Sequence, residues 1–171
     1  EIERSQQRLK SIKQGIFNER IKNSPEEYIN YFRVRVSDKI EFVLAGDSQV
    51  EALINVPLFD WVIENILKNA VNAIEGKGKI SVIITENIVK EQIFVDISDT
   101  GKGIPRSKFD AIFQPGFTTR KRGWGLGLSL TKRIIENYHN GQIFVKDSEI
   151  GKGSTFRIII KSSLKYVPTI H

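Results

Sequence analysis

The chain has 171 residues, of which 40% are hydrophobic and 27% charged, a composition typical of a globular domain with its own core. Cysteine is absent and only two histidines occur, which excludes disulfide scaffolds, thiol nucleophiles and metal sites built on Cys or clustered His. The net charge of +6 admits a phosphate-rich partner, and no apolar run approaches the roughly 18 residues of a membrane span.

The N-terminal stretch is polar and has a helical pattern. Isoleucines and a leucine recur at helical spacing over residues 1–22 and predict one amphipathic helix there. Ser24 followed by Pro25 is typical of a helix start, which predicts a short second helix to about residue 33. The chain opens on Glu1 rather than on Met, so we expect it to be an excerpt of a longer protein.

The rest of the chain alternates between strand and helix patterns. We expect helices over residues 57–75 and 126–138, with a long Gly- and Pro-rich loop over residues 99–124. The expected strands are residues 40–44, 52–56, 79–86, 92–98, 142–146 and 154–161. This order predicts an α+β fold, a two-layer α/β sandwich in which helices cover one face of a mixed sheet.

Three asparagines align on the first of these helices. At about 100° per residue, Asn65, Asn69 and Asn72 fall within an arc of roughly 60°, beside the apolar face and next to a charged Glu64–Lys68 pair. Asparagine is a mediocre helix former, so such a stripe calls for a reason. It is either an ordinary polar surface or a row of neutral oxygens and amides for a hydrated cation and phosphates.

A glycine-rich segment follows the strand that ends near residue 98. In Asp99-Thr-Gly101-Lys-Gly103 the glycines allow the backbone to approach a ligand closely. The carboxylate of Asp99 can accept a hydrogen bond from an amino group such as that of adenine. The alternative is a simple turn with no ligand.

Alternating glycines also open the second helix. Gly123, Gly125 and Gly127 follow three cations and two threonines, and the free N–H groups of a helix start attract phosphate. The alternative is a flexible basic loop capped by glycine.

In this order the three features resemble the nucleotide-binding boxes of the GHKL ATPase superfamily. Within it they are most similar to the catalytic ATP-binding domain of two-component sensor histidine kinases, with a Bergerat-type fold. Residues 64–70 resemble the N box, 99–103 the G1 box and 123–127 the G2 box. Phenylalanines at 109, 113 and 117 stand where the F box lies, and residues 151–156 resemble the last glycine box. The resemblance covers about residues 40–161.

The resemblance implies a site for ATP and Mg²⁺. Asn69 would coordinate the metal, Asn65 and Arg120 would act as catalytic residues near the phosphates, Asp99 would bind the adenine amino group, and Thr155 would lie near the base. The full nucleotide-binding set that it implies is Asn65, Lys68, Asn69, Asn72, Asp99, Gly101, Gly103, Ile104, Thr119, Arg120, Lys121, Gly123, Gly125, Leu126, Gly127 and Thr155.

The same resemblance implies a domain plan and partners. Residues 1–35 would be the end of a dimerisation-helix region and a connecting helix, 36–161 the ATP-binding domain with a lid over about 105–124, and 162–171 a tail. The domain would transfer the γ-phosphate of ATP to a His on a dimerisation domain outside this chain, for relay to an Asp of a response regulator. We expect a homodimeric parent that acts in the cytoplasm, free or anchored in the inner membrane, and no nucleic-acid partner.

Other functions remain open at this point. ATP-hydrolysing clamps of the superfamily place a Glu, the general base for water, four residues before the metal-binding Asn, and this chain has Asn65 there. A nucleotide-sensing pseudokinase would share every box. A basic nucleic-acid-binding module would explain the charge but neither the asparagine stripe nor the glycines.

Overall fold

The computed structural model describes residues 17–20, 38–47, 50–117 and 127–163. The strands are β1 (Phe17–Arg20), β2 (Ile40–Gly46), β3 (Glu51–Ile54), β4 (Gly78–Asn87), β5 (Gln92–Asp99), β6 (Gln142–Glu149) and β7 (Gly153–Lys161). The helices are α1 (Val56–Ala73), two short 3-10 helices (Arg106–Lys108 and Ala111–Phe113), α2 (Gly127–Arg133) and a π-helical turn (Ile134–Tyr138).

Five strands form one mixed sheet in the order β2-β4-β5-β7-β6. The β2–β4 pair is parallel and the other three pairs are antiparallel. The predicted α+β class with a mixed sheet is confirmed. The β6–β7 strands run further than predicted, so their connecting turn shrinks to residues 150–152.

The helix predicted over residues 1–22 is wrong where it can be checked. Residues 17–20 form β1, which pairs antiparallel with β3 in a separate two-stranded ribbon. A periodic pattern within one segment carries no information about a partner strand more than thirty residues away. Here the pairing with that strand prevails over the helical pattern. The other residues of that prediction, and the short helix near residues 24–33, lie outside the described part of the chain.

The core lies between the sheet and the helices. In β5, in β7 and from Ile80 to Ile84 of β4, every second side chain is buried, as expected of strands that turn one face to a core. The buried face of α1 packs above them and is formed by Phe59, Val62, Ile63, Ile66, Leu67 and Ala70. None of the helices in the described ranges has the length and apolar content needed to cross a bilayer.

The helix α1 begins one residue earlier than predicted, and Val56 belongs to it rather than to a strand. The cause is Asn55, whose side-chain oxygen accepts a hydrogen bond from the Leu58 backbone N–H at 3.2 Å and so caps the helix. The helix ends at Ala73, two residues before the predicted end.

A buried histidine joins the end of the second helix to the start of the first. The predicted helix over 126–138 is present as α2 and the π-helical turn, after which His139 is only 6% exposed. The Asn55 backbone N–H donates to Nε2 of His139 at 3.1 Å, and Nδ1 lies 3.1 Å from the Ile134 carbonyl oxygen. Because that carbonyl only accepts, Nδ1 carries the proton and the ring is neutral. The Phe59 ring meets it edge-on, with centroids 5.9 Å apart.

The loop after β5 fits against the β6–β7 turn through a glycine. Gly103 has a φ of +76°, and a Cβ placed there would lie 2.3 Å from the Glu149 carbonyl oxygen. The Gly151 backbone N–H donates to the Lys102 carbonyl at 2.8 Å and closes the contact. Only glycine combines this backbone conformation with so close an approach.

We predict that His139 makes folding stability depend on pH. Burial lowers the pKa of His139 below its ordinary value of 6.5, so its stabilising contribution is complete above that value and is lost as pH falls through the lowered pKa. His139→Gln keeps a donor and an acceptor but cannot titrate. It should be less stable at pH 7 by about 1–3 kcal/mol and should lose less stability than wild type on acidification. Urea unfolding at a series of pH values measures this.

The control for this experiment is His171→Gln, which removes the other histidine of the chain and should leave the wild-type pH profile unchanged. Parallel stability–pH curves for wild type and His139→Gln would show that the buried ring does not carry the effect.

We predict that Gly103→Ala destabilises the fold more than Gly151→Ala. The two glycines have nearly the same φ, +76° and +79°, but nothing lies within 4 Å of a Cβ at Gly151. The backbone strain of about 1–2 kcal/mol is therefore shared, and the clash with Glu149 should add roughly 1–3 kcal/mol at Gly103 only. Denaturant unfolding of both variants gives the difference, and equal losses would refute the backbone contact.

Candidate functional site

The asparagine stripe lies along α1 beside its buried face. Asn65 and Asn69 are half-buried, whereas Asn72 is exposed. On the neighbouring arc, the Lys68 ammonium lies 3.0 Å from the Glu64 carboxylate. Such an exposed pair contributes less than about 1 kcal/mol, so Lys68 can leave Glu64 for a stronger anion.

The side chain of Asn65 is held by α2. Its Nδ2 donates to the Thr131 hydroxyl at 3.0 Å, and Thr131 is fully buried. One turn earlier, a Cβ placed at Gly127 would lie 2.8 Å from Oδ1 of Asn65. The structure thus brings two predicted site residues together, Asn65 and Gly127, and adds Thr131, which the sequence analysis missed.

Asp99 ends β5 on the face of the sheet that meets the helices. It is 8% exposed and continues the buried alternation of that strand. Its Oδ1 accepts a hydrogen bond from the Gly101 backbone N–H at 2.8 Å. Burial raises the pKa of the Asp99 carboxyl, although hydrogen bonds from the backbone of Gly101 and Ser154 act in the opposite direction. A buried carboxylate with spare acceptor capacity suits a ligand that offers N–H donors.

The loop after Asp99 is seated on the C-terminal end of α1. The Lys102 backbone N–H donates to the Ala73 carbonyl at 2.9 Å, and a Cβ at Gly101 would lie 2.5 Å from the same oxygen. Further along, the Ile104 backbone N–H donates to the Ser148 hydroxyl at 2.7 Å. The contacts with Ala73 hold the Asp99 loop on the helix that carries the asparagines, and the bond to Ser148 joins the loop to β6. They give Gly101 a structural role, and its predicted place in the wall of a nucleotide pocket stays a prediction.

Thr155 lies next to the Asp99 position in the sheet, and its predicted place near a base stays a prediction. In the β5–β7 register it pairs with Ser98, and the two hydroxyls are 2.8 Å apart. Because side chains alternate along a strand, Thr155 points to the sheet face opposite to the helices, away from Asp99. Ser154, which pairs with Asp99 and is buried, occupies the inner face instead. In the sequence, the apolar residues at every second position from Phe156 onward already indicate that Ser154 shares the core face.

The first part of the predicted lid is anchored in the core. Over residues 105–117 the chain forms the two short 3-10 helices, and Phe113 is buried. The Phe113 ring meets Phe156 edge-on, with centroids 6.2 Å apart, and the Lys132 ammonium lies 5.5 Å from the Phe113 centroid. The F-box phenylalanine therefore joins this segment to α2 and β7.

Several predicted site residues lie outside the described part of the chain. They are Thr119, Arg120, Lys121, Gly123, Gly125 and Leu126. The described site consists of the α1 stripe, the Asp99 loop seated at the end of that helix, and the start of α2 against Asn65. Among its described residues, the carboxylate next to Asn65 in sequence is Glu64, which lies about 100° around the helix from it, on the arc of Lys68.

Comparison with known proteins gives one family. Residues 55–164 match the family described as histidine kinase-, DNA gyrase B- and HSP90-like ATPase. The chain is 38% identical over 112 residues to the nitrogen regulation protein NtrY of Azorhizobium caulinodans and 40% identical over 114 residues to the sensor histidine kinase ZraS of Escherichia coli. These alignments cover 61% and 67% of this chain but only 14% and 24% of the two relatives.

Solved structures show the same fold. The catalytic domain of the histidine kinase ThkA superposes with a TM-score of 0.77 at 25% identity, covering 86% of this chain and 95% of that one. A mycobacterial sensor histidine kinase, MprB, gives 0.76 at 20% identity and covers 86% of this chain and 98% of its own. Since the family match spans more than half of the chain and includes the stripe, the Asp99 loop and the start of α2, the chain belongs to the histidine kinase-, DNA gyrase B- and HSP90-like ATPase family.

Proposed function

We propose that this chain is the ATP-binding catalytic part of a sensor histidine kinase. The observation that carries the proposal is the neutral amide of Asn65, held by Thr131 at the position where the clamp ATPases of the superfamily have a carboxylate base. An amide cannot take a proton from water, so the site favours transfer of a phosphoryl group over hydrolysis. The similarity to kinases such as ZraS supports the same choice.

The chemistry of the donors fits a Mg²⁺ ion bound together with phosphates. The described residues contain no cluster of His, Cys, Asp and Glu that could hold a metal by itself. Half-buried Asn69 offers an amide oxygen one turn after Asn65, and Mg²⁺ commonly takes few protein ligands and completes its shell with water and phosphate oxygens. We assign Asn69 as the protein ligand. When bound, the metal would neutralise charge on the phosphates.

For the nucleotide, Asp99 is proposed to accept the adenine amino group, with Ser154 on the same sheet face in place of Thr155. Gly101, Gly103 and Ile104 would line the base. The phosphates would lie between the asparagine stripe and the glycines of residues 123–127, with Lys68, Asn72, Thr119, Arg120 and Lys121 as further contacts. Arg120 would meet the γ-phosphate, and residues 105–124 would close over it.

The reaction proposed is transfer of the γ-phosphoryl group to a His nitrogen on a dimerisation domain outside this chain. The nitrogen forms a bond to phosphorus while the bond from phosphorus to the β-phosphate oxygen breaks, and ADP leaves. This chain would supply positioning and charge neutralisation, which dominate such transfers.

The parent would be a homodimer that acts in the cytoplasm, with residues 1–35 as the link to its dimerisation helices and 162–171 as a tail. The solved complex of ThkA with the response regulator TrrA supports a response regulator as the next acceptor.

We predict that Asp99→Asn abolishes the preference for ATP over GTP without weakening the fold. The new amide still accepts from Gly101, but its NH₂ opposes the adenine amino group, so ATP affinity should fall about 10- to 100-fold. Because burial raises the pKa of Asp99, the protonated carboxyl stabilises the fold below the ordinary value of 3.8. That stabilisation is lost as pH rises through the raised pKa. At pH 7 the neutral variant should therefore be about as stable as wild type, since removal of the buried charge offsets the loss of one acceptor oxygen beside the Gly101 and Ser154 N–H groups.

Calorimetry with MgATP and MgGTP and urea unfolding measure the two effects. The control is Asp96→Asn, three residues earlier on β5, where the carboxylate pairs with Arg157 at 2.7 Å on the opposite sheet face. That variant should lose stability and keep the preference for ATP. Equal affinities of the wild-type protein for ATP and GTP would refute the assignment of Asp99.

We predict that the parent protein, with its dimerisation helices, forms an acid-labile, base-stable phosphoprotein from MgATP. Asn69→Ala should abolish the labelling because the metal ligand is lost, whereas Asn87→Ala, at the end of β4, should not. The isolated chain should hydrolyse ATP more slowly than about 1 per second. Labelling with γ-³²P-ATP and a phosphate-release assay measure these rates.

Two results would overturn the proposal. Hydrolysis by the isolated chain at ordinary enzyme rates would make it a clamp ATPase. A parent that binds ATP tightly but forms no phosphohistidine would be a nucleotide-sensing pseudokinase.

A further inference from the structure

Two positions of α2, one turn apart, enclose the side chain of Asn65. On one side is Gly127, where any Cβ would lie 2.8 Å from Oδ1 and 3.1 Å from Nδ2. On the other is the hydroxyl of Thr131, 3.0 Å from Nδ2 and 66 residues away in the sequence. Thr131 has no exposed surface, so water cannot replace its hydroxyl in this contact.

This arrangement fixes which way the amide points. Nδ2 is a donor only, so the Thr131 hydroxyl accepts and holds the NH₂ group toward the body of α2. Both amide atoms lie close to Gly127, Oδ1 at 2.8 Å and Nδ2 at 3.1 Å from a Cβ placed there, so the bond to Thr131 is what distinguishes the two ends. Without the hydroxyl, the two ends of the amide have nearly the same shape, and the group can turn over.

We propose that Thr131 is a positioning residue for phosphoryl transfer, which holds the NH₂ of the Asn65 amide on α2 and so leaves the amide oxygen for the ligand. The inference rests on the proposed function, which places Asn65 beside the phosphates. To the residues of that proposal it adds Thr131, which would not itself touch the nucleotide. The same bond couples α1 to α2, so the asparagine stripe and the first turn of α2 keep one relative position.

The orientation matters because an amide oxygen and an amide NH₂ act oppositely on nearby groups. The oxygen accepts from metal-bound water, whereas the NH₂ repels it and binds phosphate oxygen instead. An Asn65 amide that samples both orientations would spend part of its time in the wrong one. The loss should appear in the rate of transfer more than in nucleotide affinity, since a positioned group contributes most in the transition state.

The test uses Thr131→Val, which keeps the branched shape and removes the hydroxyl, and Thr131→Ser, which keeps the hydroxyl. In the parent protein, Thr131→Val should lower the rate constant of His phosphorylation about three- to tenfold with less than a twofold change in KM for MgATP, the effect of one lost hydrogen bond. Thr131→Ser should recover most of the rate. A control for loss of a side-chain hydrogen bond elsewhere is Ser98→Ala, whose hydroxyl contacts Thr155 on the opposite sheet face.

A second measurement follows Asn65 directly. In NMR spectra of this chain, the side-chain NH₂ signals of Asn65, assigned with Asn65→Ala, should shift in Thr131→Val and stay near their wild-type positions in Thr131→Ser. The purely structural alternative predicts that Thr131→Val lowers stability while the rate constant of correctly folded protein stays unchanged.

The outcomes separate the inference from the proposed function. A parent that forms phosphohistidine while Thr131→Val reacts at the wild-type rate would overturn the inference alone, as would unchanged Asn65 signals in that variant. A wild-type parent that forms no phosphohistidine would overturn the proposed function and, with it, the part of the inference that concerns transfer.

Discussion

In the described part of the chain, hydrogen bonds at three points join α1, the helix that carries the asparagine stripe, to other elements. At its start the Asn55 N–H donates to His139, in its middle Asn65 donates to Thr131, and at its end the Ala73 carbonyl accepts from the loop after β5. Hydrophobic burial is strong but has no direction, whereas a hydrogen bond fixes both distance and angle. The apolar face therefore holds α1 on the sheet, and the three bonds set where its asparagines lie.

The Asp99 carboxylate shows how a binding site departs from the best arrangement for stability. Burial disfavours its charge, and the backbone N–H groups of Gly101 and Ser154 offset only part of that penalty. An apolar residue at the end of β5 would continue the alternation of Ile97 at no such penalty. A carboxylate at this position is explained by a ligand whose N–H donors complete the set of hydrogen bonds, a balance found where function and stability compete.

Sequence periodicity predicted most strands of the sheet and α1, because these depend on local patterns. It failed for residues 17–20, whose partner strand is distant in sequence, and it gave no sign of Thr131, whose partner lies on another helix. Thr155 is a separate case. The family resemblance implies that Thr155 lies near the base, whereas the apolar alternation of β7 places Ser154 on the core face.

A neutral stripe is also the better neighbour for a polyphosphate. Carboxylates next to ATP would repel it at close range, and each would need a cation to compensate. The half-buried Asn65 and Asn69 add no charge, and the only buried carboxylate among the described site residues, Asp99, is at the far end of α1, where the loop meets Ala73. In the proposed function, the site would separate a charged recognition of the base from a neutral, oriented surface for the phosphates. That separation would forgo the activation of water and would keep the phosphoryl group in place for transfer.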